Sequence, residues 1–306
     1  MEIIAPKLSL SHFHPRYWLT WFGFFIAWCF SWLPFPILRI AGSGLGLLTM
    51  GLLKSRRNVV EANIDYCFPN LGKHKRQQLI RETFKETGMG LIESMMAWWW
   101  PDWRARRITE VRGVEHLHAA LEKHNGALML SCHMLHIEMA GRAIGFARPS
   151  TGFYRPSKNL VYEYVQYHGR ARSNEHLIIK HNLRGLLRAL KTKQAIFYLP
   201  DQDPGEHNIY FTSFFDAPTM ATTNGTSKLT KMTKCAVVPV QTYRSDKGKY
   251  IVEFFPQWDD FPSTSEQDDT QRVNQWFEKC IAEHPEQYMW VHRRFKTLPP
   301  NTPPIY

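Results

Sequence analysis

Hydrophobic positions first form one uninterrupted block. From Tyr17 to Leu38 no side chain is charged, and the block includes Trp18, Trp21, Phe22, Phe24, Phe25, Ile26, Trp28, Phe30 and Trp32. As a single helix at ~1.5 Å per residue it reaches about 33 Å, enough for the hydrocarbon core of a bilayer. Pro34 and Pro36 weaken the last turn, so a helix that only dips into the interface stays open as a second reading. The tryptophans suit the headgroup boundary. Against a cleavable leader stand the length of the block and the lack of a clear A-x-A site after it. Lys7 and Arg16 precede the block, and Arg39, Lys54, Arg56 and Arg57 follow it. The heavier basic flank is C-terminal, which predicts a cytoplasmic body.

Beyond it, Ile40 to Leu53 is apolar and Gly-rich and predicts a second membrane-proximal helix. Residues 1–53 thus read as an anchor and 54–306 as the catalytic domain. Arg56 to Asp65 predicts a helix ending before Cys67-Phe68-Pro69. Lys75 to Trp100 carries Leu79, Phe84, Met89, Leu91 and Met95 at helical spacing and ends in Trp98-Trp99-Trp100-Pro101. After Gly113 the pattern changes. Four short apolar runs predict buried strands, at Ala127–Ser131, Ala195–Leu199, Ala236–Val240 and Tyr250–Phe255. Helical patterns alternate with them, at Leu160–Gly169, Leu183–Lys191, Ala221–Thr233 and Thr270–Glu283. Alternation of this kind predicts an α/β domain with a mainly parallel sheet flanked by helices, whose active site lies at the carboxyl ends of the strands.

Composition narrows the class. The chain has 306 residues, 44% of them hydrophobic, which suffices for a normal core. Its formal charge of +11 points to anionic partners: nucleic acid, anionic lipid or an acidic carrier protein. The five cysteines are scattered and form no C-x-x-C pair, so neither a disulfide framework nor a zinc knuckle is indicated.

The sharpest chemical feature is Ser131-Cys132-His133-Met134-Leu135-His136-Ile137-Glu138, directly after the first strand of the four. His133 and Glu138 lie ~140° apart on a straight helix, so they meet only if His133 sits in the turn and Glu138 in the first helical turns behind it. A carboxylate on one imidazole nitrogen would then make the other a base for a hydroxyl. The plainer alternative pairs Glu138 with Arg142, four residues on, and leaves His133 a buried histidine. Cys132 would point away from His133, and His133 with His136 lacks the spacing of a zinc site, so no metal is expected. No G-x-S-x-G elbow, Walker loop or G-x-G-x-x-G is present.

Further motifs follow the other strands: Tyr154-Arg155-Pro156 with Asn159, Arg170-Ala171-Arg172-Ser173-Asn174, and Asp201-Gln202-Asp203-Pro204-Gly205. Clustered arginines suit phosphate or carboxylate, or are a solvated face; the Asp-Pro-Gly stretch is equally a simple turn. Gln287-Tyr288-Met289-Trp290-Val291-His292-Arg293-Arg294-Phe295-Lys296 sets cations beside aromatics, which fits anionic headgroups or stacked bases.

In this order the pieces resemble the Kdo-dependent late acyltransferases of lipid A biosynthesis, over nearly the whole chain. The likeness runs from His14-Pro15-Arg16-Tyr17-Trp18 through Cys67-Phe68-Pro69, Ala97 to Asp102, His133 with Glu138, Arg170 to Asn174, Pro200 to Asp203 and Ala221 to Thr226, to Pro285 to Trp290 and His292 to Thr297. His133 and Glu138 match the family's H-x4-D/E motif. Leu298 and Pro204 depart from the Arg and Tyr usual there. The resemblance implies a glycerol-phosphate-acyltransferase-like α/β domain on a membrane helix at the bacterial inner membrane, facing the cytoplasm. It implies transfer from acyl carrier protein to a hydroxyacyl chain of a Kdo-bearing, tetraacylated precursor, with lauroyl or palmitoleoyl as the acyl group. Neither cofactor nor nucleic acid enters that reaction. On this reading His133, oriented by Glu138, is the base and Arg170 an oxyanion donor; Arg155, Asn159, Asp201, Asp203, His292, Arg293, Arg294 and Lys296 face substrate. A lipid hydrolase using the same dyad on water, and a membrane-tethered nucleic-acid-binding protein, are the rivals.

Overall fold

The computed structural model of the chain describes residues 5–179 and 182–306. The long N-terminal apolar block is not one helix. It breaks into α1 (Trp18–Ser31) and the start of α2 (Phe35–Leu52), with Trp32 to Pro34 turning the chain between them. Pro34 has no amide hydrogen and sits outside the helix that it introduces, so the predicted single span over residues 17–38 is corrected by a proline already present in the sequence. At 14 residues α1 is about 21 Å long, short of a bilayer core. Among the described residues, α2 alone is long and apolar enough to cross a membrane by length and composition.

Both helices keep apolar outer faces. Leu19, Phe22 and Phe25 on α1 and Ile40, Leu48 and Leu52 on α2 are exposed. The inner face of α2 is fitted to a long helix, α4 (Lys73–Trp99), reached through α3 (Lys54–Cys67). A Cβ at Gly46 would lie 1.9 Å from the Phe84 carbonyl oxygen, and one at Gly88 2.1 Å from the Gly42 carbonyl oxygen. Only glycine permits this backbone approach, so α2 is docked on the body rather than tethered to it.

The body is a seven-stranded sheet in the order β1-β9-β8-β2-β5-β3-β4. Its strands are β1 (Thr109–Arg112), β2 (Ala127–Leu130), β3 (Ser150–Tyr154), β4 (Asn174–Ile179), β5 (Ala195–Tyr198), β8 (Ala236–Arg244) and β9 (Tyr250–Phe254). All neighbours are parallel except β8 and β9. A separate antiparallel hairpin, β6 (Ile209–Phe214) with β7 (Ala217–Thr223), precedes α10 (Gly225–Thr233). The mainly parallel, helix-flanked sheet is thus as expected. Four strands fall on the four predicted runs; β1, β3, β4, β6 and β7 are additional to them. β4 begins Asn174-Glu175-His176, as suits a sheet edge that must not invite further pairing. The helix predicted from Ala221 starts only at Gly225, because residues 221–223 are held by β6.

Helices cover both faces. On one, α6 (Val114–Lys123) and α7 (Ile137–Ala147) pack on Met129, Val238 and Val240, with α8 (Leu160–Ala171), α4 and the α1–α2 pair beyond. On the other, α9 (Leu183–Leu190) and α10 pack on Leu128, Ile178 and Ile196, and α11 (Glu266–Glu283) on Leu130 and Val237. Alternation along β2 separates the two layers: Met129 faces one, Leu128 and Leu130 the other. α5 (Asp102–Ile108) ties the α1–α2 turn to the body, since Arg104 Nη2 donates to the Leu33 carbonyl at 2.6 Å.

Candidate active site

The first chemical residue appears where β2 ends. Its four side chains are fully buried, and the chain leaves the sheet through Ser131 and Cys132 to His133. Its parallel neighbour β5 ends in register, Leu130 beside Tyr198, and leaves through Leu199 and Pro200 to Asp201. His133 and Asp201 are therefore the same number of steps beyond a shared register. The His133 amide donates to Asp201 Oδ2 at 2.9 Å, and its Nδ1 lies 2.6 Å from Oδ1. Asp201 is buried while the His133 side chain keeps 18% exposure. With Nδ1–H given to a carboxylate, Nε2 is left as an unprotonated acceptor.

Asp201 is also the acceptor for the Tyr288 hydroxyl at 3.0 Å. Burial works to raise its carboxyl, but the His133 ring, the two hydrogen bonds from His133 and the nearby Arg294 guanidinium together hold it below the usual carboxylate range. It stays ionised. Tyr288 is pushed far above the usual phenol range by burial and by Asp201, so it remains a proton donor. The segment around Tyr288 fixes the turn from the other side: Leu135 N donates to Gln287 O at 2.8 Å, and Met289 N to His133 O at 3.1 Å. Gly90 of α4 backs the same turn, where a Cβ would meet the Leu135 carbonyl oxygen at 2.7 Å.

Glu138 is not the partner of His133. In the first turn of α7 it faces α4 and α8, where Oε2 accepts from Trp98 Nε1 at 3.0 Å and Oε1 from Arg170 Nε at 3.0 Å, with Arg170 Nη2 on Oε1 as well. It makes no hydrogen bond to His133 among the described residues. The ~140° between positions five apart explains the outcome: the helix carries Glu138 around to a different neighbour. Nor does it pair with Arg142, which reaches Asp102 instead. Arg170 gives Nε and Nη2 to Glu138 and keeps Nη1 outside that pair; burial lowers its affinity for a proton and the Glu138 charge more than restores it.

The substrate-facing set divides. Asp201 orients His133 and has no face left for substrate. Asn159 caps α8, its Oδ1 accepting from Val161 N at 3.0 Å and Tyr162 N at 3.1 Å, and its Nδ2 donates to Thr20 Oγ1 of α1. Asp203 accepts from Gly205 N and Thr297 Oγ1, both at 3.3 Å. Arg155, Arg293 and Lys296 are exposed, with Arg293 over the Tyr306 ring. Arg294 turns inward instead. Its Nη1 donates to Ala221 O at 2.9 Å, while Nε and Nη2 are buried without a partner among the described residues. Burial lowers its proton affinity, and Tyr288, Asp201 and Asp203 work against that. His292, half-buried, is pushed down by burial and by His133, which favours the neutral ring.

Burial works against Cys132 and His136, the two neighbours of His133 that the sequence also offers. Burial pushes the Cys132 thiol well up, and it pushes buried His136 down to about 3. Among the described residues no group of three metal-ligating side chains converges.

The geometry provides an imidazole base held by an ionised carboxylate, and a separate, half-buried Glu138–Arg170 ion pair. The profile of the bacterial lipid A biosynthesis acyltransferases matches residues 5–297. The chain is 38% identical over 301 residues to the lipid A biosynthesis palmitoleoyltransferase of Escherichia coli K12, covering 98% of each. It is 38% identical over 302 residues to the lipid A biosynthesis lauroyltransferase of that organism, covering 98% of this chain and 99% of that one. To its lipid A biosynthesis myristoyltransferase the identity is 23%, covering 96% and 92%. Among solved structures the 1-acyl-sn-glycerophosphate acyltransferase PlsC of Thermotoga maritima covers 81% of this chain and 97% of its own at 13% identity and a TM-score of 0.38.

Proposed function

This chain belongs to the bacterial lipid A biosynthesis acyltransferases, of the lauroyl and palmitoleoyl type, and on that premise we propose that His133, held by Asp201, is the general base of its acyl transfer. The observation that carries this is the paired hydrogen bonding of His133 Nδ1 and N to one buried, ionised carboxylate. Nε2 takes the proton of the acceptor hydroxyl as the oxygen attacks the thioester carbonyl of an acyl carrier protein. The tetrahedral intermediate collapses with loss of the thiolate, to which the imidazolium returns the proton. No acyl-enzyme is formed. Arg170 Nη1, the guanidinium nitrogen not bonded to Glu138, is the oxyanion donor we assign. Glu138 holds Arg170, and thereby acts one step back from the chemistry.

The acceptor of this proposal is a Kdo-bearing, tetraacylated lipid A precursor, and the site of action the cytoplasmic side of the inner membrane. The exposed apolar faces of α1 and α2 support membrane seating. Exposed Arg155, Arg293 and Lys296 are suited to the phosphates and carboxylates of such a lipid. The test is transfer in vitro from lauroyl-, myristoyl- and palmitoleoyl-loaded carrier protein to precursor with and without Kdo. The reading expects a product from lauroyl or palmitoleoyl donor that needs Kdo. Product formed equally without Kdo would remove the acceptor assignment, and fatty acid released without any lipid product would make the protein a hydrolase.

A further inference from the structure

A one-signed stretch of charge lies away from the site just described, on the sheet face opposite α1 and α2. Residues 183–193, which are α9 and the turn after it, contain Arg184, Arg188, Lys191 and Lys193 and no acidic residue. Residues 225–234, α10 and its end, contain Lys228, Lys231 and Lys234 and again no acid. The two helices are neighbours whose apolar sides share one core, Leu186, Ala189 and Leu190 from α9 meeting Leu229 from α10. Their basic side chains are consequently turned outward: Arg184, Arg188, Lys191, Lys193 and Lys234 are exposed. Among the described residues none of these five makes an ion pair. Lys231 is paired with Glu266 of α11 at 3.1 Å, and Lys228 bonds the neutral side chain of Asn208. Glu175 at the sheet edge lines a groove with Arg188.

From this we infer that the α9–α10 face is the docking surface for the acidic carrier protein that delivers the acyl thioester, an inference that rests on the carrier-dependent transfer proposed above. Three observations select this occupant over other anions. The sheet stands between this face and the apolar faces of α1 and α2, so a bilayer seated on those helices does not reach it. Neither helix carries an aromatic residue, which leaves nucleic-acid bases nothing to stack on. The face also offers Leu183 and Met232, exposed by 56% and 58%, as apolar contacts set within the positive field. That is the composition for binding an amphipathic acidic helix, with charge steering the encounter and an adaptable apolar centre. The placement suits delivery as well. The N-terminus of α10 lies against Tyr198, the last residue of β5, two residues before the chain reaches Pro200-Asp201. The face therefore begins at the rim of the site and descends about 12 Å, the length of α9, leaving a carrier's flexible arm to cross the rim to His133.

The experiment uses the full chain in detergent, with an Arg184→Glu/Arg188→Glu/Lys234→Glu variant. Lauroyl or palmitoleoyl carrier protein is compared with the same acyl group on a small thiol, N-acetylcysteamine. The expected result is a KM for the carrier-linked donor raised tenfold or more, with a flatter dependence on salt. Turnover of the small thioester, kcat and binding to anionic phospholipid vesicles should stay as in the natural protein. An unchanged KM and salt dependence overturns the proposal. Loss of vesicle binding overturns it too, by giving the face to the membrane. Use of the small thioester but not of the carrier-linked donor by the natural protein would overturn the docking site and leave acyl transfer standing. If neither donor were used, the transfer reading would fall, and fluorescence anisotropy of labelled carrier protein would still decide the surface: binding weakened tenfold in the variant supports it, equal binding overturns it. Should the triple reversal unfold the protein, Arg184→Gln/Arg188→Gln is read in the same assays for a threefold rise in KM.

Discussion

Asp201→Asn is the substitution that separates the observed pairing of His133 from the one its sequence spacing suggests. Three donors converge on the Asp201 carboxylate: the His133 amide, its Nδ1–H and the Tyr288 hydroxyl. An asparagine has one acceptor oxygen and one donor group for the same three partners. Its Oδ1 satisfies the main-chain N–H, and its NH2 then faces Nδ1, which favours the tautomer protonated on Nε2. The nitrogen needed as a base is thereby blocked. The charge is lost as well. A carboxylate about 4 Å from the imidazolium centre is worth ~4 kcal/mol at an effective dielectric constant of about 20, and each ~1.4 kcal/mol is a factor of ten in rate. Together these predict a fall in kcat/KM of about 10³- to 10⁴-fold, the size seen when the carboxylate of a serine-protease triad becomes an amide. The assay is acyl transfer to the lipid precursor at saturating donor, with the thermal transition measured in parallel to show that the variant is folded. Glu138→Gln, in the same assay, should cost only about 10- to 100-fold, because it touches His133 through no hydrogen bond. Near-natural activity in Asp201→Asn beside a dead Glu138→Gln would refute the reasoning.

Glu138→Gln and Arg170→Met act on one ion pair, so the double variant should be no slower than the worse single one; additive losses would show independent roles. Arg294→Met removes a cation that helps keep Asp201 ionised. The folded-state carboxyl then rises, the stability that it contributes above its unfolded pKa of about 3.9 shrinks, and activity fails at a higher pH on the acid side; an unmoved acid limb would argue against the coupling. Burial, opposed by Arg244 and reinforced by Glu93 and Glu286, pushes Glu86 up to about 7. A raised carboxyl binds its proton more tightly when folded, so the transition temperature should fall as pH rises from about 4 towards 7 and level off beyond, and Glu86→Gln should flatten that slope. Gly46→Ala forces α2 away from Phe84 and should destabilise by about 1–3 kcal/mol, whereas Gly23→Ala, with open space around it in α1, should stabilise by about 0.5–1 kcal/mol; thermal denaturation of both distinguishes the docked helix from the free face.

The elements easiest to read in the sequence are those shaped by a single strong effect. β2 is buried on both faces, and β2, β5 and the first five residues of β8 show as unbroken apolar runs, while α4 and α11 are long enough for helical spacing to emerge. The edge strand β4 and the β6–β7 hairpin owe their form to position in the fold; polar residues open β4 and interrupt β6 and β7, so none shows as an unbroken apolar run. Weighing hydrophobicity above Pro34 carries the first predicted helix past the end of α1 into the start of α2. At the site, His133 is legible from its place after a strand, but sequence spacing points to a partner nearby when the partner lies across the sheet. The signal is present all the same: Ala127–Leu130 and Ala195–Tyr198 are equal runs, and His133 and Asp201 follow them at equal distance. In-register parallel strands turn that equality into contact. The inward course of Arg294 between exposed Arg293 and Lys296 has no such signal, since it depends on Asp201, Asp203 and Tyr288 meeting there.

Central to the account is direct transfer from thioester to lipid hydroxyl with His133 as the base. A rapid-quench experiment with donor labelled in the acyl chain tests it most directly, following label in donor, protein, lipid and free acid. With acceptor present, label should pass to the lipid with none held on the protein, and His133→Ala should abolish the passage while remaining folded. Label trapped covalently on the protein before it reaches lipid, or a His133→Ala variant that transfers at the natural rate, would contradict the account.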